Sequence, residues 1–252
     1  MLRSLKGLFG YEIEATDGKI GRVHDFFFDD LFWTVRYIVV DTGKWLPGRK
    51  VLISPVAVES AHWAEHLLQV NLDSETIKDS PDVDCEKPVS RQIEENIVSH
   101  YRWPVYWSPV GTLTPAMAAM REKEAEGEGE EKPAAEELEK MNEPNLRDMR
   151  EVTGYSIAAI DGDIGHSDDL IVDDTDWRIR YLVVDTGNWI PGRKVLVSPD
   201  WISHITWKDA HVVVNLNREM IRESPEYDPG QPVNRVLEQT LYDYYGRPYY
   251  WQ

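Results

Sequence analysis

The stretch RYIVVDTGKWLPGRKVLISP, residues 36–55, decides the fold because it returns almost unchanged as RYLVVDTGNWIPGRKVLVSP at residues 180–199. The two stretches are 144 residues apart. Extending the comparison without a gap places residues 10–107 on residues 154–251, and about 45 of the aligned positions are identical. A self-match of this length indicates a tandem duplication, so the chain is predicted to contain two copies of one domain.

Each copy is predicted to be a small β domain. Six segments of the first copy have the alternation or the β-branched content of strands: residues 11–15, 20–30, 34–41, 50–53, 58–62 and 66–72. Gly21 and its counterpart Gly165 interrupt the second segment, which predicts a bulge or a bend. Six closely spaced strands with glycine bends predict a barrel. The expected fold is therefore mainly β, with two small six-stranded barrels in tandem.

Short helices and an aromatic tail are predicted after each barrel. Residues 74–78 and 90–101 have helical spacing, with Glu94 and Glu95 expected to face outward from the second helix. Proline cannot continue that helix, so residues 101–107, YRWPVYW, should leave it as an extended tail. Four tail residues, Tyr101, Pro104, Tyr106 and Trp107, recur as Tyr245, Pro248, Tyr250 and Trp251. Their recurrence predicts that the tails are packed, and we favour docking of each tail on the neighbouring copy.

Composition bounds the organisation and the partners. We predict a first domain at 1–107, an acidic and partly helical linker at 108–150, and a second domain at 151–252. The net charge of −18 disfavours nucleic acid, because nucleic-acid-binding proteins concentrate positive charge. A single cysteine, Cys85, and the lack of a long apolar run predict a cytoplasmic protein with no export signal and no transmembrane segment.

Candidate chemistry is judged by whether the same groups occur in both copies. No histidine pair or cysteine pair recurs, so no catalytic residue, cofactor or metal ligand is predicted. The shared acidic residues are Asp17, Asp25, Asp29, Asp30 and Asp41, with Asp161, Asp169, Asp173, Asp174 and Asp185. They favour turn and strand-end capping, and a calcium-type site at 173–176 is the alternative. Asp41 and Asp185 should bond to their own turns. Arg36 and Arg180 are candidates for pairing with one of these carboxylates at the barrel wall.

One duplicated turn has the residue types of a binding surface. A proline-glycine pair there stands beside a tryptophan and two cations, which are types that interfaces favour. The candidate partner-binding residues are Trp45, Arg49, Lys50, Trp189, Arg193 and Lys194. In the alternative interpretation, each tryptophan closes the end of a barrel and the cations only solubilise the turn.

Three motifs carry a resemblance to a known family. They are DGKIGRV at 17–23, RYIVVDTG at 36–43 and GRKVLISP at 48–55, each with its match 144 residues later. Both copies resemble the PRC-barrel domain over about two thirds of their length, although His166 and Ser167 replace Arg22 and Val23 in the second copy. The resemblance implies a six-stranded barrel like that of the photosynthetic reaction-centre H subunit and of a ribosome-maturation factor. In both settings the domain docks on other proteins, and the family has no shared catalytic residues.

The sequence therefore favours a non-enzymatic adaptor or scaffold that binds a protein partner. That partner could be a second copy of the chain, and a membrane complex would be reached only through a protein. Two alternatives stay open. One is a metal-dependent enzyme or sensor that uses the aspartates, and the other is a ribosome-associated or RNA-associated assembly factor, which the negative charge disfavours unless it binds a basic protein.

Overall fold

The structure is a computed structural model that describes residues 1–84, 89–107, 146–187 and 192–251. It is mainly β and contains two separate seven-stranded sheets with a few short helices. We call residues 1–107 the first repeat and residues 146–252 the second repeat. Residues 108–145 of the predicted linker at 108–150 lie outside the described residues.

The elements of the two repeats follow the same order. The first repeat contains β1 (Leu2–Ser4), β2 (Glu12–Ala15), β3 (Gly18–Asp29), β4 (Thr34–Asp41), β5 (Lys50–Ile53), β6 (Val58–His62), β7 (Leu67–Val70), α1 (Ser74–Lys78) and α2 (Arg91–Tyr101). The second contains β8 (Leu146–Asp148), α3 (Met149–Val152), β9 (Ser156–Ala159), β10 (Gly162–Asp173), β11 (Ile179–Asp185), β12 (Lys194–Val197), β13 (Ile202–Thr206), β14 (His211–Val214), α4 (Arg218–Glu223) and α5 (Arg235–Tyr245). The six strands predicted for the first copy are β2 to β7.

The strand order is the same in both sheets, β5-β4-β3-β2-β7-β6 and β12-β11-β10-β9-β14-β13. Only the β2–β7 and β9–β14 pairs within these orders are parallel. The terminal strands β5 and β6 are not joined by a ladder in the part of the chain that the structure describes. The sheets and their order are therefore shown, whereas the predicted closure into a barrel is not.

Glycine bends occur where the sequence predicts them. The β2–β3 register shifts between Ile13 and Glu14, so the ladder is irregular beside Gly21. A Cβ atom on Gly21 would lie 2.2 Å from the carbonyl oxygen of Asp41, and one on Gly165 would lie 2.0 Å from that of Asp185. Only glycine allows β3 and β10 to pass this close to the ends of the next strands.

Each repeat donates its first strand to the sheet of the other repeat. β1 pairs antiparallel with β10, with Leu2 opposite Asp173. β8 pairs antiparallel with β3 in the same register, with Leu146 opposite Asp29. The seventh strand of each sheet is therefore exchanged. This exchange was not predicted from the sequence, and residues 146–150, which were predicted to belong to the linker, form β8 and the start of α3.

The core is continuous across the two repeats. Leu5 and Met149, which follow the exchanged strands at equivalent positions, are both fully buried in the same hydrophobic cluster. The N–H of Leu5 donates to the carbonyl oxygen of Leu170 at 2.9 Å, so the main chain of the first repeat is bonded to the far sheet. Burying such side chains stabilises the junction by about 1.5–3 kcal/mol each.

Candidate functional site

A buried glutamate anchors the aromatic tail in each repeat. Glu94 on α2 is fully buried, so the prediction that it faces outward was wrong, while Glu95 is exposed as expected. Glu94 accepts hydrogen bonds from the hydroxyl of Tyr106 and from the guanidinium of Arg91, the latter at 2.7 Å. Burial raises the pKa of Glu94 to about 7, although Tyr106 and Arg91 act in the opposite direction. The carboxylate therefore joins the helix to the tail.

The second repeat has the equivalent arrangement, formed by its own residues. Glu238 accepts from the hydroxyls of Tyr181 at 2.9 Å and Tyr250 at 2.7 Å, and it pairs with Arg235 at 3.1 Å. Arg235 also lies 4.0 Å from the ring centre of Trp251, as Arg91 lies 4.2 Å from that of Trp107 in the first repeat. These contacts hold each tail on its own repeat, so the prediction that tails dock on the neighbouring copy was wrong.

The predicted arginine pairs are confirmed. Arg36 binds Asp29 at 2.6 Å and its guanidinium lies 4.2 Å from the ring centre of Tyr106. Arg180 binds Asp176 at 2.5 Å, lies 3.9 Å from Asp173, and contacts the Tyr250 ring at 4.3 Å. Each arginine thus connects the β3–β4 or β10–β11 region to the tail.

The shared aspartates have structural partners. Asp41 and Asp185 accept from the N–H groups of Gly43 and Gly187, each at 2.8 Å, which confirms the predicted turn bonds. Asp17 and Asp161 accept from backbone N–H groups at the starts of α1 and α4. Within the described ranges, no group of three or more His, Cys, Asp or Glu residues is placed to hold a metal ion.

Two further aspartates join the repeats. Arg147 binds Asp30 at 2.8 Å, and Arg3 binds Asp174 at 3.1 Å, so equivalent ion pairs cross the junction in opposite directions. Arg3 also lies 4.1 Å from the ring centre of Trp63, and Arg147 lies 4.2 Å from that of Trp207. The guanidinium group of the arginine in each exchanged strand therefore contacts both repeats.

One difference between the two junctions changes the surroundings of a buried aspartate. Ser4 donates its hydroxyl hydrogen to the buried carboxylate of Asp169 at 2.5 Å. At the equivalent junction the place of Ser4 is taken by Asp148, which faces the buried carboxyl of Asp25. Burial, followed by the neighbouring Asp148 carboxylate, raises the pKa of Asp25 well above its ordinary value, although Arg150 lies 3.3 Å away.

The predicted partner-binding turns have contacts of their own. Arg49 donates to the carbonyl oxygens of Lys78 and Ser80 at the end of α1, and Arg193 makes the equivalent bonds to Arg222 and Ser224 at the end of α4. Trp45 packs half-buried against the core. Arg49, Arg193 and Trp45 therefore contact their own repeats, and partner binding by these turns stays a prediction.

The remaining predicted residues of these turns differ between the repeats. Lys50 is half-buried. Its counterpart Lys194 binds Asp168 at 2.6 Å. Trp189 lies outside the described residues.

A groove of about 560 Å³ lies where the first repeat meets the second. One wall is formed by β6 and by the tail residues Trp103 and Tyr106, and the other includes the turn between β10 and β11 with Trp177. Glu59, Asp174 and Asp176 also line it. The groove combines aromatic rings with acidic side chains at the junction of two units, which is a common position for binding sites.

The groove depends on small residues that the second repeat lacks. Val98 lines it, and the equivalent residue is Tyr242. Ala57 beside the groove is likewise replaced by Trp201. Tyr242 and Trp201 are buried and lie 5.3 Å apart between ring centres, so they fill this region of the second repeat. The groove was not predicted from the sequence, although the large-for-small differences between the copies could have indicated it.

No helix among the described residues is long and apolar enough to cross a membrane. No protein-family model matches the chain, and no curated protein matches it significantly.

Proposed function

We propose that this chain is a non-enzymatic protein-binding and assembly module built of two PRC-type barrels, and that the exchanged strands hold the barrels together. Among the described residues the two terminal strands of each barrel are not paired with each other. The three duplicated motifs and the six-strand order within each repeat support the PRC-type assignment. The single cysteine supports a cytoplasmic location.

The groove at the junction is the observation that carries the binding function. Its volume of about 560 Å³ lies within the range of ligand sites. Trp63, Trp103 and Tyr106 line it, and tryptophan and tyrosine are the residues that most often dominate binding energy at protein interfaces. The buried carboxylates of Glu94 and Asp29 are engaged by arginines and by the tail, which suits a binding surface better than acid-base chemistry.

The experiment fills the groove with a side chain that the fold already accepts elsewhere. Val98→Tyr introduces the residue that the second repeat has at this position. We expect the tagged variant, produced in its own host, to lose partners that the unmodified chain recovers at equal expression. Ser99→Tyr is the matched control, because Ser99 is the exposed neighbour on the same helix. Equal recovery by the unmodified chain and by Val98→Tyr would refute a binding function for the groove.

A further inference from the structure

We infer, on the basis of the proposed function, that the groove binds an extended basic segment of a partner protein as an additional strand along β6. Three features of the groove lead to this partner: a free strand edge, an acidic side chain on that strand, and aromatic rings fixed in the same wall.

The strand edge comes from the sheet order. β6 is the last strand of its sheet and pairs with β7 on one side. Val58, Glu59, Ser60 and Ala61 of β6 line the groove, so the strand borders the open volume. An edge strand offers backbone N–H and C=O groups that an extended peptide can pair with. A segment in the groove can therefore gain backbone hydrogen bonds as well as side-chain contacts.

The charges of the groove select a basic segment. Arg36 is the cation among its lining residues, and it is already bound to Asp29 at 2.6 Å. Glu59 is exposed and forms no ion pair with any residue of the described ranges. Asp174 and Asp176 add negative charge on the opposite wall, each beside an arginine. Lysine or arginine side chains of a partner would meet Glu59 without displacing an existing pair.

The aromatic rings suit the same partner. Trp103 stacks on Tyr101 with ring centres 4.2 Å apart, so its ring is held in place at the groove. A fixed indole attracts lysine and arginine through cation–π contact. The chain already uses this contact internally, since Arg3 lies over Trp63.

The second repeat differs at each of these positions. Ser203 replaces Glu59, Tyr242 replaces Val98, and Arg247 replaces Trp103. The acidic group, the open volume and the aromatic ring are thus exchanged for a neutral group, a filled core and a cation. One segment per chain is therefore expected, bound by the first repeat.

The test selects peptides from a phage-displayed library of random dodecapeptides on the intact chain, with the Val98→Tyr protein as the counter-selection. We expect the selected sequences to place Lys or Arg at alternate positions. A synthetic peptide of the selected consensus should bind once per chain, bind more weakly as salt is raised, and slow hydrogen exchange at the β6 amides. Glu59→Lys should weaken binding by about tenfold or more, which is about 1.4 kcal/mol. Ser203→Lys, which places lysine at the equivalent position of the second repeat, should leave peptide binding unaltered.

The outcomes separate this inference from the proposed function. Peptides that need an open groove but show no basic preference, no effect of Glu59→Lys, or no protection of β6 would overturn the inference and leave the groove as a binding site. A library from which the counter-selection on Val98→Tyr removes every binder of the unmodified protein would overturn both.

Discussion

Thr34 and Arg178 face each other in an isolated antiparallel bridge, and they occupy equivalent positions in the two repeats. The hydrogen bonds beside the bridge are reciprocal. The N–H of Val35 donates to the carbonyl oxygen of Trp177 at 2.9 Å, and the N–H of Ile179 donates to that of Trp33 at 2.6 Å. A contact in which one surface meets its own copy is the mark of a twofold dimer. The chain is therefore arranged as a dimer whose two subunits are joined in one polypeptide.

Removing residues 1–5 should destabilise the far repeat first. β1 covers β10, and the N–H of Asp174 donates to the carbonyl oxygen of Met1 at 2.9 Å. We expect hydrogen exchange to accelerate at residues 171–174 of the second repeat, because these groups lose their strand partner. Exchange measured by mass spectrometry on the truncated and intact chains tests this prediction. Acceleration confined to the first repeat would show that the exchanged strand does not support the junction.

The two buried anchors should contribute similarly to stability. Leu5→Ala and Met149→Ala each remove a fully buried side chain at the junction, and each should lower the free energy of unfolding by about 2–5 kcal/mol. Leu31→Ala, at an exposed position, should change it by less than about 0.5 kcal/mol. Urea unfolding should show one transition for the unmodified chain. A variant in which only one repeat unfolded would contradict a core that the two repeats share.

Stability should fall as pH rises because of the carboxyl pair at one junction. The pKa of Asp25 is raised in the folded state, so the folded chain keeps a proton that the unfolded chain releases above about pH 4. Asp148→Ser gives this junction the serine that the other junction has, and it should reduce the loss of stability at high pH. The loss should shrink by about 1.4 kcal/mol for each pH unit by which the substitution lowers the pKa of Asp25. Ser4→Asp should enlarge the loss.

Denaturant unfolding at pH 5 and pH 8 measures the effect. The groups facing Asp25 are Asp148, Arg150 and the N–H of Phe26, and only the first is altered by Asp148→Ser. Serine also keeps the helix cap that Asp148 provides to α3. Parallel pH profiles for the variant and the unmodified chain would rule out the carboxyl pair as the cause.

The buried glutamate of α2 should be essential to the tail. Glu94→Ala leaves Arg91 and Tyr106 without their acceptor, and we expect it to lower the free energy of unfolding by about 3 kcal/mol. Glu94→Gln should cost less because its amide oxygen can still accept from Tyr106. Glu95→Ala, one residue further along, is the exposed control. Thermal unfolding compares the three, and equal effects at positions 94 and 95 would contradict the structure.

Arg49 should stabilise the fold rather than only solubilise its turn. Arg49→Ala removes the bonds to the carbonyl oxygens of Lys78 and Ser80, which should cost about 1–3 kcal/mol. Arg49→Lys should recover only part of this free energy of unfolding, since an ammonium group cannot reproduce the two-pronged geometry of the guanidinium. Lys44→Ala, at an exposed position of the same turn, serves as the control. Unfolding free energies that match for Arg49→Ala and Lys44→Ala would assign Arg49 to the surface.

The local sequence pattern was sufficient to predict the strands and several hydrogen bonds. The alternation of residues 34–41 predicted β4 because side chains in a strand point to opposite faces in turn. Asp41 stands two residues before Gly43, a spacing at which a carboxylate reaches the backbone of its own turn, and the predicted bond is present. The duplication then carried each of these inferences to the second repeat.

The prediction that Glu94 of α2 faces outward was wrong. Glu94 is charged and was expected to face water, yet it is buried because Arg91 on the same helix and Tyr106 in the tail satisfy its oxygens. Helical spacing shows which residues share a face, but it does not show which distant groups will compensate a buried charge.

The sequence by itself determined the duplication, the strands and the local turns, because these depend on residues that are neighbours along the chain. Only the tertiary structure decided that β1 and β8 exchange partners, since Leu2-Arg3 and Leu146-Arg147 are alike and could join either sheet. It also decided where the groove lies. That volume is set by Val98 together with the β10–β11 turn of the other repeat, and packing between such distant segments follows from the assembled core rather than from local pattern.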